Sequence, residues 1–403
     1  MNKKLIAVAI AAALAPAAAM ADSGNVQIYG SVHMSVDSLN GNSSMAGTNN
    51  DRETNISSNS SYIGFKGTED LGNGLKAVWQ MESLVGMGAT GTGTGANTLT
   101  SRNSYAGLSG GFGTAILGIH DTPFKLVGRS VDLFGDQIGD SRNLINFADG
   151  TNALMDLRPS NVIAYLTPEV SGFSGALAYV SNAMEVSALN AGTMGVTTGL
   201  AGATQEESVT AWSAMAKYAS GPLMLGLGYE RHNLSNVDNV VAITNDTASD
   251  ICTAPATSCN VLLDLKNQSS WRLVGGYNFG DFKVTGLYQK TSNVTGIDNL
   301  DRKMWGLGGA YKMGATTIKA QYYKANDLSG YDGLDQTGAN MVAVGADYAL
   351  SKRTTAYVAY ARTNNDSDAN FSAFSTSAGH GDNPGTVTGK DPSGFSLGMK
   401  HAF

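Results

Sequence analysis

The side chains able to do covalent or metal chemistry are few and scattered. Five histidines occur in 403 residues, His33, His120, His232, His380 and His401. None has the H-E-x-x-H spacing that puts two imidazoles on one helix face. Gly107-Leu108-Ser109-Gly110-Gly111 satisfies G-x-S-x-G by letter. A nucleophile elbow needs a strand running into a helix, whereas here one extended segment ends and another begins. The Gly/Thr run over 86–97 has no helix pattern behind it, so it reads as a flexible loop rather than a phosphate cradle. Cys252 and Cys259, six residues apart in a polar stretch, read as a local loop disulfide; with no histidine nearby, they do not suggest a zinc site. These residues call for no catalytic group, metal or cofactor.

What chemistry there is lies in charge. The stretch 121–159 carries Asp132, Asp136 and Asp140 at spacings of four, interleaved with Val131, Leu133, Phe134, Ile138, Leu144 and Ile145. An exposed loop does not need those apolar residues, and long, partly apolar loops are usually functional. From the residues alone, both a solvated external loop and one folded against the protein remain open.

The elements that would position this loop show period two. Val26, Ile28, Gly30, Val32, Met34 and Val36 alternate with Gln27, Tyr29, Ser31, His33, Ser35 and Asp37. Twelve unbroken residues exceed an ordinary strand of about 5–6 and match the roughly 9–11 that cross a bilayer at a tilt. The pattern returns in Leu75–Glu82, Trp271–Phe279, Thr317–Tyr323 and Phe395–Phe403. In Thr354–Thr363, alanines on both faces leave the phase open.

Sixteen such segments are read: 25–37, 53–68, 74–83, 101–109, 113–120, 160–167, 173–182, 208–218, 223–232, 268–279, 282–291, 302–312, 316–325, 339–350, 353–363 and 394–403. Tight turns such as Gly280-Asp281 and Ser351-Lys352 alternate with long polar links, among them 38–52, 84–100, 121–159, 233–267 and 364–393. That asymmetry is the mark of an outer-membrane barrel. A soluble sandwich would have shorter strands and no systematic turn–loop alternation. Tyr179, Tyr218, Tyr277, Phe279, Tyr311 and Tyr348 are read as a girdle at the short-turn interface. The expected fold is all-β, a transmembrane antiparallel β-barrel of 16 strands. Such a barrel leaves an aqueous lumen, where eight strands would be filled by side chains.

Composition agrees. Charged residues are 15% of the chain and the formal charge is −7, which excludes a nucleic-acid binder that would need basic surface. The start (Lys3-Lys4, apolar Leu5–Ala15, then Ala19-Met20-Ala21) reads as a cleaved signal peptide, residues 1–21. Its removal leaves 24 basic against 33 acidic side chains, near −9, in one domain over 22–403.

Several stretches resemble the general porins of β-proteobacteria and Neisseria. They are SYIGFKGTEDLGNGLKAVWQME at 61–82, RNSYAGLSGGFGTAILG at 102–118, RPSNVIAYLTPEVSGFSGALAY at 158–179, VQIYGSV after the leader and the terminal FSLGMKHAF. The resemblance spans essentially the whole mature chain and is weakest in the long loops. It implies a homotrimer in the outer membrane, among lipid and lipopolysaccharide, with the third long loop, 121–159, folded into each pore. Phe403 is similar to the terminal aromatic read by the barrel-assembly machinery in that family. With the loop inside, its apolar side would pack on the wall while Asp132, Asp136 and Asp140 face the channel. Opposite them the family places basic wall residues; Lys66, Lys76, Arg102, Arg142 and Arg158 are the candidates. Positions matching Tyr62 and Ile119 are often arginine in relatives, and His33 is often aspartate, so two wall arginines are missing. With an acidic chain, this points to weak or cation-leaning selectivity. The expected function is passive diffusion of ions and small hydrophilic solutes, without catalysis. A substrate-specific channel and a barrel enzyme are the alternatives.

Overall fold

The computed structural model describes residues 26–41, 52–88, 98–145, 155–183, 209–235, 240–244, 258–262, 265–375, 378–381 and 384–403. The signal peptide 1–21 and Cys252 lie outside the described residues.

The wall is one antiparallel sheet closed on itself. Its strands are β1 (Val26–Asn40), β2 (Glu53–Ser58), β3 (Tyr62–Gly72), β4 (Leu75–Leu84), β5 (Ser104–Gly110), β6 (Gly113–Ile119), β7 (Val162–Leu166), β8 (Phe173–Val180), β9 (Thr210–Ser220) and β10 (Leu223–Asn233). After a small hairpin, β11 (Val240–Thr244) with β12 (Ser258–Leu262), come β13 (Gln268–Phe279), β14 (Phe282–Ser292), β15 (Arg302–Met313), β16 (Thr316–Ala325), β17 (Ala339–Ala349), β18 (Thr354–Asn365) and β19 (Ser393–Ala402). Closure comes from β1 against β19, in register from Ser31↔Ala402 to Asn40↔Ser393.

Two strands share the other edge of β1. Val36 pairs with Ile56 of β2, and Ile28 pairs with Phe65 of β3. They are one wall strand broken at 59–61, where Ser60 takes φ +51 and Ser61 accepts a hydrogen bond from the His33 amide at 2.9 Å. Counted as one, they make a 16-stranded barrel, as the alternation predicts. The hairpin β11–β12 in the link 233–267 gave no period-two signal. Cys259 sits on β12 opposite Ile243.

Alternation sets what faces lipid. Leu273, Leu307 and Leu397 are exposed on the outer wall, whereas Arg272 and Arg302, on the same strands, are fully buried inside. A leucine facing water rather than an apolar phase forgoes roughly 1.5–3 kcal/mol, so a belt of them requires lipid. The phase of β18 is now settled: Tyr357, Ala359 and Ala361 point inward, Val358 and Tyr360 outward. Gly398 of β19 makes room for the Tyr357 ring, whose Cζ lies 2.3 Å from where a Cβ would stand.

Aromatic residues form two girdles. Near the short turns Phe279 stacks on Phe282, which stacks on Tyr311, at 5.8 and 4.2 Å. At the opposite end Tyr179 packs on Trp212, Trp271 on Tyr288 and Trp305 on Tyr322. Tyr179 therefore belongs to the long-loop interface, not the short-turn one, because β8 begins at its short turn and Tyr179 is close to its far end. Turn glycines do what the short turns require: Gly280 and Gly314 take φ +64 and +60, left-handed values that suit two-residue hairpins.

Candidate functional site

The link after β6 enters the barrel. Thr122 caps a short helix, α1 (Pro123–Arg129), accepting from the Lys125 amide at 3.3 Å. Pro123 at the first turn loses no helical bond. The helix buries Phe124 and Val127 against β10, and the wall is cut to fit. A Cβ at Gly226 or Gly228 would come within 2.5 or 2.7 Å of a Val127 methyl. A second turn, α2 (Arg142–Ile145), follows. Between them Phe134 and Ile138 pack with Leu39, Ala343 and Ala361 of the wall, while Val131, Leu144 and Ile145 join a second cluster with Val274, Leu287 and Met304. The apolar side of 121–159 lies on the wall, as expected.

Wall polar groups fasten this loop. Arg272 of β13, buried, donates to both Asp156 carboxylate oxygens at 2.7 and 3.1 Å and to the Phe124 carbonyl at 3.0 Å. Gln321 donates to the Gly139 carbonyl at 2.7 Å and accepts from the Leu133 amide at 3.1 Å. Lys319 donates to Gln137 at 3.0 Å and pairs with Asp347 at 2.9 Å.

The loop's exposed side and the facing wall enclose a cavity of about 250 Å³ lined by Arg102, Asp121, Lys125, Arg129, Asp136, Arg142 and Arg158, with Ser60, Leu84, Ser101 and Gly379. Asp121 is shared by Lys125 at 2.8 Å and Arg158 at 3.0 Å. Asp136 takes Arg129 at 2.9 Å and Arg142 at 3.2 Å, and Asp140 takes the same two arginines at 3.2 and 2.9 Å. Arg102 pairs with Glu82 of β4 and lies 4.8 Å over the Tyr62 ring. The most exposed of these side chains are Arg129 at 29% and Arg158 at 21%, whereas Lys125 and Arg142, at 9% and 8%, are less exposed than Asp136 at 17% and Asp121 at 13%.

These environments move the loop's titrations. Burial would raise the Asp121 carboxyl, but Lys125 and Arg158 outweigh it and hold it well below the usual range. Arg129 and Arg142 do the same for Asp136 against its burial. Burial lowers Lys125 to about 8, only partly offset by Asp121. Asp132 is raised by burial and by the neighbouring Asp140 carboxylate.

Of the three aspartates expected to face the channel, only Asp136 lines the cavity. Asp140 is turned in, accepting from the Asp136 amide at 2.8 Å and the Arg142 amide at 2.9 Å. Asp132 likewise accepts from Phe134 N–H at 3.0 Å, Ser141 N–H at 3.2 Å and Gln321 at 3.1 Å. Loop amides outside regular structure need acceptors, and these two carboxylates supply them. Arg142, on α2, and Arg158 belong to the inward loop itself rather than to the wall opposite it, but they meet Arg102 at the cavity. Lys66 does not: it lies on the short-turn side of Glu82, 4.9 Å over the Tyr29 ring, in a separate cavity of about 410 Å³ shared with Gln27, Thr68 and Tyr105. Lys76 faces the lumen nearer that mouth, opposite Asp70 and Ser109 in register, and lines neither cavity. Sequence reasoning missed Asp121, Lys125, Arg129, Glu82 and Arg272. The i, i+4 spacing of Asp121, Lys125 and Arg129 behind Thr122-Pro123 was a helix-face signal.

Residues 7–368 match the Gram-negative porin family. The chain belongs to that family. The major outer membrane protein P.IA of Neisseria meningitidis serogroup A is 29% identical over 389 residues, which cover 89% of this porin and 93% of that protein. The P.IB protein of Neisseria gonorrhoeae is 37% identical over 187 residues, 44% of this porin. In that match the porin spans about half the length of its relative, 48%. Among solved structures, an anion-selective porin from Comamonas acidovorans superposes with a TM-score of 0.67 at 25% identity, covering 94% of this chain and 99% of that one. OmpT of Vibrio cholerae shares the fold, with a TM-score of 0.62 at 16% identity over 96% and 99% of the two chains. This porin is a multi-pass protein of a Gram-negative outer membrane, and its family is one of channels rather than enzymes.

Proposed function

We propose that this porin is a passive diffusion channel for ions and small hydrophilic solutes, narrowed by the inward loop 121–159 and weakly selective for anions. The observation that carries the reading is the cavity lining. Five cationic side chains (Arg102, Lys125, Arg129, Arg142, Arg158) face two carboxylates, Asp121 and Asp136. Counting the buried partners Glu82 and Asp140 leaves the cluster at plus one (five minus four).

The cation-leaning expectation from whole-chain charge is therefore not carried forward. Net charge sums over the long loops, where Asp298, Asp301, Asp327, Asp332, Asp335, Asp366, Asp368 and Asp391 lie between strands. Strand alternation puts Lys66, Lys76, Lys217, Lys283 and Lys400 on the inner face, together with Asp37, Glu82, Glu230 and Asp347. One unbalanced charge about 4 Å from a passing ion is worth about 1 kcal/mol at water's dielectric, roughly a fivefold preference, and salt screens it. Pairing and screening keep the expected preference small. The selectivity in the name of the Comamonas porin supports the same sign.

We infer a homotrimer from the outer wall. Among the described residues, outward Trp and Tyr at the long-loop end (Tyr179, Trp212, Tyr229, Trp271, Tyr288, Trp305, Tyr322, Tyr360) come from β8 to β18. Toward that end the arc from β19 through β1 to β7 carries only Trp79, midway along β4. A girdle marks lipid headgroups, so the sparse arc suits contact with neighbouring subunits, while the rest meets lipid and lipopolysaccharide. Phe403 packs its ring over Gly30 and exchanges backbone hydrogen bonds with it at 3.0 Å, at the closing seam. That position suits a terminal signal for the barrel-assembly machinery.

Swelling of vesicles carrying the purified protein, in sugars of graded size, tests the channel. Uptake that stops at a size limit supports it, and vesicles that stay closed to every sugar refute it. Native gels showing only monomer remove the trimer.

A further inference from the structure

We propose that the last long loop, 366–392, is a second constriction element, and that Gly379 is the position through which it sets the opening. The inference rests on the channel reading above. A polar link between β18 and β19 has the composition of a solvated external loop, yet Phe371, Ala373, Phe374 and Ala378 are fully buried. Phe374 packs with Leu39, Ala361 and Phe134, and so touches both the wall and the first inward loop. Phe371 joins the cluster containing Leu144 and Met304, with the Arg302 guanidinium 5.1 Å over its ring.

The two loops are hydrogen-bonded to each other along this contact. The Gly139 amide donates to the Ala373 carbonyl at 2.7 Å, and the Ser375 amide donates to Asn143 at 2.7 Å. Arg142, already holding Asp136 and Asp140, also donates to the Ala378 carbonyl. Past that point the loop crosses to the break in the wall, where the Ser60 hydroxyl donates to the Gly379 carbonyl at 3.0 Å and the Gly381 amide donates to Asn59 at 2.8 Å. The path runs from one side of the charged cavity to the other, between residues 236 apart in the chain for Arg142 and Ala378.

Gly379 is where this path forms part of the passage. It lines the same cavity as Arg102, Asp136 and Arg142. Its φ of +91 is a value that favours glycine. A Cβ there would stand 2.5 Å from Asp136, 2.6 Å from the Ser60 hydroxyl and 3.0 Å from Arg142. Any side chain at this position projects among the groups that select the ion. The opening is thus framed by loop 121–159 on one side, Arg102 on another, and the backbone of the last loop on a third.

The test is single-channel recording from the full-length protein in planar bilayers. Parent channels are recorded first, and their absence would fail the channel reading rather than this one. Two variants follow: replacement of 371–381 by a short Gly-Ser linker, and Gly379→Cys exposed to a bulky charged thiol reagent, with the parent treated identically as control. Shortening the loop is expected to enlarge the conductance step and to admit larger sugars. Modifying the introduced thiol is expected to shrink the step and shift the reversal potential with the sign of the reagent's charge. If the shortened protein does not insert, the thiol variant decides alone. Variants that insert and conduct like the parent, before and after reagent, overturn the proposal.

Discussion

Arg272 on the wall and Asp156 at the far end of the inward loop form a fully buried bidentate pair, at 2.7 and 3.1 Å. The same guanidinium donates to the Phe124 carbonyl at the loop's start. One side chain therefore ties both ends of the constriction loop to β13. Removing one partner of such a buried pair typically costs about 3–5 kcal/mol. Arg272→Met should leave the barrel assembled while loosening the loop, giving noisier and larger conductance steps. Quiet steps of parental size would mean that the pair does not hold the constriction.

Lys125 titrates near 8 because burial disfavours its charge. Below that pH the lysine is cationic at the cavity; above it, the charge is lost. Anion preference should therefore decline as pH rises from about 7 to 9, and Lys125→Met should flatten the decline. The same depressed value means that the unfolded chain binds the extra proton between about 8 and 10.5. This group's contribution to stability thus rises with pH across that window. Reversal potentials recorded at stepped pH check the selectivity.

Gly228 of β10 provides the seat for α1, and its missing Cβ is 2.7 Å from Val127 and 3.2 Å from Phe124. Gly228→Val should push the helix off the wall into the passage and reduce conductance. Overpacking of this kind costs typically about 1–3 kcal/mol, little enough for the barrel to survive. A swelling assay that shows no narrowing would contradict the seat.

Leu273 is half exposed on the outer wall, next to the fully buried Arg272. Leu273→Arg should lower folding stability in lipid vesicles by about 2–4 kcal/mol if that position lies near the bilayer midplane, as judged by denaturant titration. A neutral result would place this face away from lipid.

The barrel was legible because period two is local. Val26–Asp37 and Trp271–Phe279 declare their faces within one strand, and turn–loop asymmetry supplies the rest. The lumen was less legible because its geometry is made by residues far apart. Nothing near 371–381 announces that Phe374 packs on Phe134, or that the Ala378 carbonyl meets Arg142. The aspartates misled for another reason. Asp132 and Asp140 have the spacing of a charged face, but loop amides with no other acceptor recruited them. Whole-chain charge says little about the lumen, since it weighs carboxylates between the strands equally with the arginines lining the cavity.

The most direct test of the account is the reversal potential of the purified porin in planar bilayers across a tenfold gradient of potassium chloride, at low total salt. Stepwise conductance with a potential displaced modestly toward the chloride equilibrium value is predicted. A potential displaced toward potassium would contradict the cationic constriction, and a membrane that stays closed with folded protein inserted would contradict the channel itself.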